Sequence, residues 1–276
     1  MQGRIIKQIS NDYTVKTDND EYICKARGKF RNMDISPLVG DFVEFDETAN
    51  YIMGILPRKN ELKRPRIANI DQAIIITSLK KPDFDTNLLD KLLAIITFNN
   101  VKPIIVFTKS DLLTEAELNE FKKYYEYYYS IGYDVYYNYE LNKIKTIFKD
   151  KVSVFTGQSG AGKSTLLNKL DANLNIKTAE ISLALNRGKH TTRHTELIAT
   201  NGGLVADTPG FSSLDFVDMS NADIRDSMVE FNLYRNECKY RDCMHDKEDK
   251  CSVKEHLNNG DILKSRYDNY INFIRS

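Results

Sequence analysis

The sequence lacks a charge imbalance, a long hydrophobic run and an export signal. Its 276 residues carry 39 Lys and Arg against 39 Asp and Glu, which excludes a globally basic nucleic-acid coat and an acidic tail protein. Apolar runs such as Ala73 to Ile76 and Leu92 to Ile96 are far shorter than the roughly 20 residues that cross a bilayer. The opening MQGRIIKQISNDY turns polar before a signal peptide's apolar stretch could form. We therefore expect a cytoplasmic protein with no membrane partner.

Cysteine is scarce and unevenly placed. Cys24 stands alone in a β-rich run, whereas Cys238, Cys243 and Cys251 lie in the last sixth of the chain. In a reducing compartment such crowding favours a metal site over disulfides, and Cys24 is most simply a small buried hydrophobe. Hydrophobic residues make up 41% of the chain and charged residues 28%, which is typical of globular proteins that bury real cores.

Composition changes twice along the chain. Up to about Leu62, short β-rich runs alternate with polar turns, which predicts an OB-type β-barrel over residues 1–62. Residues 63–217 alternate continuous apolar strands with amphipathic helices, which indicates an α/β domain with a mostly parallel sheet. Residues 218–276 read as polar helices around a Cys/His cluster. The predicted fold is therefore multi-domain α/β, with a barrel, a central P-loop domain and a C-terminal helical zinc-binding domain.

The α/β region allows individual elements to be placed. Strands are expected at AIIITSL, PIIVFTKSD, VSVFTG and GGLVADTPG, and helices near Asn87 to Asn99, near Glu115 to Ser130 and from Lys163. The aromatic run Tyr124 to Tyr129 falls in the second helix. We interpret it as packing along that helix, with a ligand platform as the alternative.

The strongest chemical signal is a glycine-rich loop between the apolar strand VSVFT and the helical STLLNKL. It reads Gly157, Gln158, Ser159, Gly160, Ala161, Gly162, Lys163, Ser164. This matches the G-x-x-x-x-G-K-[ST] loop, which cradles phosphates with backbone N–H groups at a helix N-terminus. In that loop the lysine reaches the β- and γ-phosphates and the serine hydroxyl ligates Mg²⁺, which predicts these roles for Lys163 and Ser164.

A second motif identifies the base. Thr108, Lys109, Ser110 and Asp111 follow the apolar strand PIIVF and have the form [N/T]KxD. The Asp111 carboxylate can accept hydrogen bonds from N1–H and the exocyclic amine of guanine, a donor pair that adenine lacks. The stem of Lys109 would lie over the base plane. Beside a phosphate loop, this motif predicts GTP rather than ATP.

A third element, Asp207-Thr208-Pro209-Gly210, ends the strand GGLVAD. Asp207 can hold Mg²⁺, usually through water, and the Gly210 N–H can sense the γ-phosphate. The segment GKHTTRHT lies before it, where Thr191 or Thr192 could complete the Mg²⁺ shell. A merely solvated loop is the alternative for that segment.

The residue that follows Gly210 is Phe211, at a position where Ras-like enzymes carry a glutamine that orients the attacking water. Phenylalanine cannot form a hydrogen bond, so we expect slow intrinsic hydrolysis. His190 and His194 are local candidates for positioning water, and a macromolecular partner is another. Each histidine could equally be an ordinary polar loop residue.

The order of the three motifs is permuted. An ordinary GTPase reads P-loop, switch threonine, DxxG and [N/T]KxD, whereas here TKSD precedes the P-loop. A circular permutation keeps every strand in place and moves only the termini. The chain then runs from DxxG straight into the C-terminal segment, so a switch motion would pull on that segment.

The C-terminal cluster consists of Cys238, Cys243, His245 and Cys251. Three thiols and an imidazole suit tetrahedral Zn²⁺, and four protein ligands without an open position indicate a structural site. Buried free cysteines are the alternative. His256 is a rival imidazole on an apparently helical stretch.

The first domain carries a local concentration of cations that could contact RNA, as OB-folds do with a basic groove and aromatic stacking. The cations are Lys25, Arg27, Lys29 and Arg31, with Lys63, Arg64 and Arg66 near the linker. A solvated loop explains these residues about as well.

Taken together, the barrel, TKSD before GQSGAGKS, GKHTTRHT, DTPGF and C-x4-C-x-H-x5-C resemble the RsgA (YjeQ) family of circularly permuted bacterial GTPases. The resemblance covers essentially the whole chain. It implies a GTPase that acts on the small ribosomal subunit and its rRNA late in assembly, that is stimulated by the subunit, and that leaves after hydrolysis. It also implies GTP contacts at Thr108 to Asp111 and Gly157 to Thr165, one structural zinc ion on the cluster above, and a monomer. The segment VYYNYEL lacks the family's Ser-Ala type guanine loop.

Three classes of function compete at this point. The first is an enzyme that hydrolyses GTP to GDP and phosphate with Mg²⁺, using Lys163, Asp207, Gly210, Thr192 and His190. The second is a GTP-regulated RNA-binding module in which hydrolysis serves only as a release timer. The third is an ATP-dependent nucleic-acid enzyme with a zinc module.

Overall fold

The computed structural model describes residues 1–28, 30, 35–63, 66–171, 195–207 and 215–276. The described residues divide into two compact units. The first unit lies within Met1–Ala73, Glu140–Thr156 and Lys163–Ser213, and the second within Ile74–Tyr139, Gly157–Gly162 and Leu214–Ser276. Across the described ranges, no helix combines the length and the apolar character that crossing a bilayer requires.

The described strands are β1 Gln2–Ile9, β2 Asp12–Lys16, β3 Glu21–Ala26, β4 Phe42–Asp46, β5 Tyr51–Ile55, β6 Glu61–Lys63, β7 Arg66–Ala68, β8 Gln72–Ser78, β9 Lys102–Thr108, β10 Asp134–Tyr137, β11 Val152–Gly157, β12 Thr195–Thr200 and β13 Gly203–Asp207. The described α-helices are α1 Thr86–Phe98, α2 Glu115–Ser130, α3 Leu141–Thr146, α4 Lys163–Leu170, α5 Asn221–Asp226, α6 Phe231–Tyr234, α7 Ser252–Asn259 and α8 Lys264–Arg275. Two 3₁₀ turns cover Ser110–Leu112 and Arg235–Glu237.

The N-terminal strands of the first unit close into the predicted barrel. Strand β1 pairs with β2, β2 with β3, β3 with β5 and β5 with β4, and β4 returns to β1. Closure leaves the barrel without an open edge strand. Alternate residues of β2 and β4 are buried, and the barrel side chains with no exposed area are Ile5, Val15, Cys24, Val43 and Ile52. The expectation that Cys24 is a buried hydrophobe is therefore confirmed.

The first unit continues from the barrel into a second set of strands. Strand β12 pairs antiparallel with both β1 and β13, and β13 runs parallel to β11. An ion pair between Lys7 Nζ and Glu196 Oε2, 2.8 Å apart, accompanies the β1–β12 pairing. Strand β12 and the short β6–β7 hairpin were not among the expected elements, because each is short and polar and carries no clear alternation.

The second unit contains the strands β8, β9 and β10, in that spatial order with β9 and β10 parallel. Strand β8 is buried along its whole length, as a strand covered on both faces requires. Helix α1 is capped by Asp85, whose side chain accepts from the Leu88 N–H. Helix α2 begins with a capping box between Thr114 and Glu117. Both helices lie where the hydrophobic periodicity predicts them, within one residue.

The C-terminal helices belong to the same unit as α1 and α2. A buried guanidinium, Arg266 on α8, donates to Asp90 on α1 at 2.8 Å and to Glu230 at 2.7 Å. Tyr128 on α2 donates to the same Asp90 carboxylate at 2.6 Å. A cluster of apolar side chains completes this core and includes Ile224, Met228, Phe231, Val253, Ile262, Tyr270 and Phe273.

Candidate functional site

The glycine-rich loop begins where β11 ends. Gly157 has φ +125°, and a Cβ there would lie 2.0 Å from the carbonyl oxygen of Ile76, so only glycine fits this close approach. Gly162 has φ +95°, in the region that favours glycine and allows successive N–H groups to turn toward an anion. Helix α4 starts at the next residue, Lys163, and a glycine-rich loop followed directly by a helix N-terminus is the chain order of an anion-binding motif.

Two hydrogen bonds join the TKSD motif to this loop within the second unit. The Thr108 hydroxyl donates to the Ala161 carbonyl at 2.6 Å, and the Lys109 ammonium donates to the Gly160 carbonyl at 2.7 Å. Thr108 is buried and Lys109 takes φ +61°, so the turn is built around these contacts. Asp111 lies in the following 3₁₀ turn with its side chain exposed, where its carboxylate is open to a base edge.

Most of the strand before the glycine-rich loop, and the helix after it, belong to the first unit. Strands β11 and β13 are parallel, with Val152 opposite Leu204, so their carboxyl ends share one edge of the sheet. Lys163 opens α4 and is half-buried, and burial lowers the pKa of its ammonium. A bound phosphate would offset this desolvation. Ser164 is half-buried and Thr165 is exposed on the same helical turn.

Several expected residues lie outside what the structure describes. Strand β13 ends at Asp207, but the Asp207 side chain is not described. Gly210, Thr192 and His190 fall in the ranges 172–194 and 208–214, as do Thr191, His194 and Phe211. The roles expected of them stay predictions.

The expected metal ligands come together in the second unit. One ligand atom each from Cys238, Cys243, His245 and Cys251 lies within 4.8 Å of every other. Nδ1 of His245 is 3.3 Å from the sulfur of Cys251 and 3.7 Å from that of Cys238, so Nδ1 is the nitrogen that faces the thiols.

The loop that carries His245 is held from both sides. His245 has φ +58°, in the left-handed region that few non-glycine residues adopt. The Glu248 carboxylate accepts from the Met244 N–H at 2.7 Å and from the Asp246 N–H at 2.9 Å. The Tyr267 hydroxyl donates to the His245 carbonyl at 2.6 Å. These bonds fix the backbone on which the His245 imidazole is mounted.

The electrostatics of the cluster fit a divalent cation. Burial, with the neighbouring thiols, raises the pKa of Cys243 to about 12 and also raises that of Cys251. Burial and nearby arginines lower the pKa of His245 to about 4. Three thiolates are unfavourable here without a cation, and a set of three sulfurs and one nitrogen suits Zn²⁺.

The rival imidazole is engaged elsewhere. Nδ1 of His256 lies 2.7 Å from Oδ2 of Asp261, and its ring stacks on that of Tyr234 with 3.7 Å between centroids. His256 is therefore part of the packing of α7 and not of the cysteine cluster.

Two groups of cations lie at the surface of the described residues. Lys25, Arg27, Lys63 and Arg66 are exposed in the first unit, whereas Lys29, Arg31 and Arg64 lie outside the described residues. A second group was missed by sequence reasoning, although three cations within seven residues signal it. Arg235, Lys239 and Arg241 line a cleft of about 470 Å³ together with Asn236 and Cys238.

Comparisons with known proteins agree along the whole chain. The family model described as RsgA N-terminal domain matches residues 2–55, and the model described as RsgA GTPase matches residues 55–217. The small ribosomal subunit biogenesis GTPase RsgA 2 of Oceanobacillus iheyensis is 52% identical, covering 99% of this chain and 96% of that protein. The small ribosomal subunit biogenesis GTPase RsgA of Latilactobacillus sakei is 47% identical over 98% and 94%.

Two solved structures share the fold. The structure of YloQ, titled a circularly permuted GTPase, has a TM-score of 0.84 at 39% identity, covering 99% of this chain and 93% of that one. The structure of YjeQ from Thermotoga maritima has a TM-score of 0.86 at 33% identity, covering 99% and 97%. These likenesses extend over the barrel, the nucleotide motifs and the cysteine cluster.

Proposed function

The chain belongs to the RsgA GTPase family, and from that premise we propose that it hydrolyses GTP to GDP and phosphate during late maturation of the small ribosomal subunit. The observation that carries the proposal is the pair of hydrogen bonds from Thr108 and Lys109 to the glycine-rich loop. They join a guanine-reading motif to a phosphate-binding motif that follows it in the chain, as a permuted GTPase requires. As a GTPase, the chain takes GTP and GDP as nucleotides, with Mg²⁺.

The proposed contacts with the base, the phosphates and Mg²⁺ come from different residues. The base contacts are Thr108 to Asp111, and Asp111 selects guanine. The phosphate contacts are Gly157 to Thr165, within which Lys163 neutralises charge on the γ-phosphate as water attacks in line. Ser164, Thr192 and Asp207 would hold Mg²⁺, which would neutralise negative charge on the phosphates.

The remaining catalytic roles rest on the sequence. The Gly210 N–H senses the γ-phosphate, and His190 is the local candidate for orienting water, because Phe211 cannot. The proposed domains are 1–62, 63–217 and 218–276, with a structural Zn²⁺ on Cys238, Cys243, His245 and Cys251.

The rRNA of the subunit is the proposed partner of both basic surfaces. Exposed Lys25 and Arg27 lie on or beside β3 of the barrel, and three cations line the cleft next to Cys238. Phosphate contacts of this kind position a protein on RNA and weaken with added salt. The proposed protein is a cytoplasmic monomer that engages the subunit.

The test is GTP hydrolysis by the purified protein with and without small ribosomal subunits, with ATP in parallel. We expect slow turnover alone, strong stimulation by subunits, and no stimulated turnover of ATP. Lys163→Ala is expected to lower stimulated turnover at least about 100-fold. Stimulated turnover of ATP would support the ATP-dependent enzyme instead. Unchanged subunit maturation with Lys163→Ala, despite lost hydrolysis, would support the RNA-binding module.

A further inference from the structure

Four tyrosine rings in the second unit form a continuous parallel stack, which we call the tyrosine ladder: Tyr129, Tyr125, Tyr137 and Tyr139. Tyr125 and Tyr129 are 6.5 Å apart at 15°. Tyr125 and Tyr137 are 4.9 Å apart at 2°, and Tyr137 and Tyr139 are 5.3 Å apart at 5°. Isolated aromatic pairs adopt offset-stacked or edge-to-face geometries, so three parallel contacts in series make an ordered surface feature.

The two inner rings of the ladder, Tyr125 and Tyr137, are held in place by the helix and the strand that carry them. Tyr125 and Tyr129 lie four residues apart on α2 and so share one helix face. Tyr137 ends β10, and Tyr139 lies two residues later in the turn that follows, with its ring parallel to that of Tyr137. The Tyr125 hydroxyl donates to the Val135 carbonyl at 3.2 Å. The inner rings, Tyr125 and Tyr137, are therefore held by the fold, and each has one further ring stacked beyond it.

The two end rings are almost equally exposed, at 65% for Tyr129 and 66% for Tyr139. Their positions differ. Strands β9 and β10 are parallel with Phe107 opposite Tyr137, and the Asn138 N–H donates to the Phe107 carbonyl at 2.8 Å. The chain at Tyr139 has therefore just left β10 at the same edge of the sheet where Thr108 to Asp111 follow β9. Tyr129 lies three ring spacings away, at the end of α2.

We propose that Tyr139 is a wall of the guanine pocket, with the ring face turned away from Tyr137 stacked on the base that Asp111 reads. This inference rests on the proposed GTP binding and deepens it. Aromatic stacking accepts any base, because every base has a π-face. Tyr139 therefore supplies affinity, and Asp111 supplies selectivity. The ladder behind the ring reduces the side-chain entropy that binding would otherwise cost.

The test measures GDP and GTP binding to the zinc-loaded, full-length chain by isothermal titration calorimetry. Tyr139→Ala is expected to weaken binding about tenfold, which corresponds to about 1.4 kcal/mol and lies within the range for one stacked base. Tyr139→Phe keeps the ring and is expected to bind like the wild type. Tyr129→Ala removes the equally exposed ring at the other end and is expected to leave the affinity unchanged.

ITP separates stacking from edge recognition, because hypoxanthine keeps the ring system of guanine and lacks its exocyclic amine. The wild-type preference for GTP over ITP is expected to persist in Tyr139→Ala, since both nucleotides lose the same stacking contact. Loss of that preference would overturn the assignment of selectivity to Asp111 alone.

The remaining outcomes separate this inference from the function on which it rests. If the wild type does not prefer GTP to ATP, the proposed function fails. If the wild type prefers GTP and Tyr139→Ala binds it equally well, only the stacking inference fails. If both alanine variants bind GTP normally but lose stimulation by small subunits, the ladder contacts RNA and the guanine assignment is overturned. An unchanged thermal melting curve shows that each exposed-ring variant is folded.

Discussion

Removal of the buried guanidinium of Arg266 is expected to cost more stability than removal of any surface charge on the same helix. The side chains of Arg266 and Asp90 are fully buried, and that of Glu230 is 1% exposed. The substitution Arg266→Met fills much of the same volume and leaves two carboxylates buried without their cation. Breaking a buried pair in this way costs about 3 to 5 kcal/mol in the free energy of unfolding.

The pH dependence of that cost gives the sharper test. Burial raises the pKa of Asp90, and the Arg266 charge opposes the rise, so the pKa of Asp90 is expected to rise further in Arg266→Met. A carboxyl whose folded pKa is raised stabilises the fold below its ordinary pKa of 3.8. This stability is lost as pH rises through the folded value. The variant should therefore lose less stability at pH 5 than at pH 8.

The assay is thermal and urea unfolding of the zinc-loaded protein, followed by circular dichroism at pH 5 and pH 8. At about 2 to 4 °C per kcal/mol for a chain of this size, the melting temperature should fall by roughly 6 to 20 °C at pH 8. Lys264→Met is the control on α8, because Lys264 is highly exposed and pairs with Asp268 in solvent. That control should cost less than about 0.5 kcal/mol.

Adding Asp90→Asn and Glu230→Gln to Arg266→Met should recover part of the loss, because it removes the uncompensated charges. A cost of Arg266→Met below about 1 kcal/mol at pH 8 would refute the reasoning. A larger cost at pH 5 than at pH 8 would refute it as well.

The remaining predictions concern the nucleotide and metal sites. Gly157→Ala places a Cβ 2.0 Å from a backbone carbonyl oxygen and should abolish GDP binding measured by calorimetry, whereas Gly28→Ala, with no atom within 4 Å, should bind normally. Asp111→Asn should weaken GTP binding about 10- to 100-fold through loss of charged hydrogen bonds and should improve XTP binding; unchanged preference would disprove the guanine assignment. Cys243→Ser should lose bound zinc by atomic absorption and lower the melting temperature, and His256→Ala should retain the metal, since its ring stands outside the cluster.

Much of the fold follows from patterns local in sequence. The alternation of β1 to β5 and the periodicity of α1 and α2 predicted those elements, because side-chain burial repeats every two residues in strands and every 3.6 in helices. The short strands β10 and β12 were not predicted as strands. Tyrosine-rich or polar segments of four to six residues become strands through pairing with a neighbour, and no local pattern records that neighbour.

The candidate site was largely predictable as a set of residues. A P-loop and a [N/T]KxD motif each carry their chemistry in a few adjacent residues, and four metal ligands lie within fourteen positions. The hydrogen bonds from Thr108 and Lys109 to Ala161 and Gly160 were not predictable, because about fifty residues separate the partners.

The sequence by itself determined the predicted chemistry: which loop is expected to hold phosphate, which carboxylate is expected to read the base and which side chains could take zinc. These assignments depend on residue type and spacing along a few turns of chain. Only the tertiary structure decided that α8 shares a core with α1 through Arg266, that Nδ1 of His245 faces the thiols, and that Tyr139 ends a stack at the sheet edge where the TKSD motif lies. The first two depend on which side chains are buried together, because burial sets the cost of a charge. The third depends on the pairing of β10 with β9, which sets the edge of the sheet where Tyr139 lies.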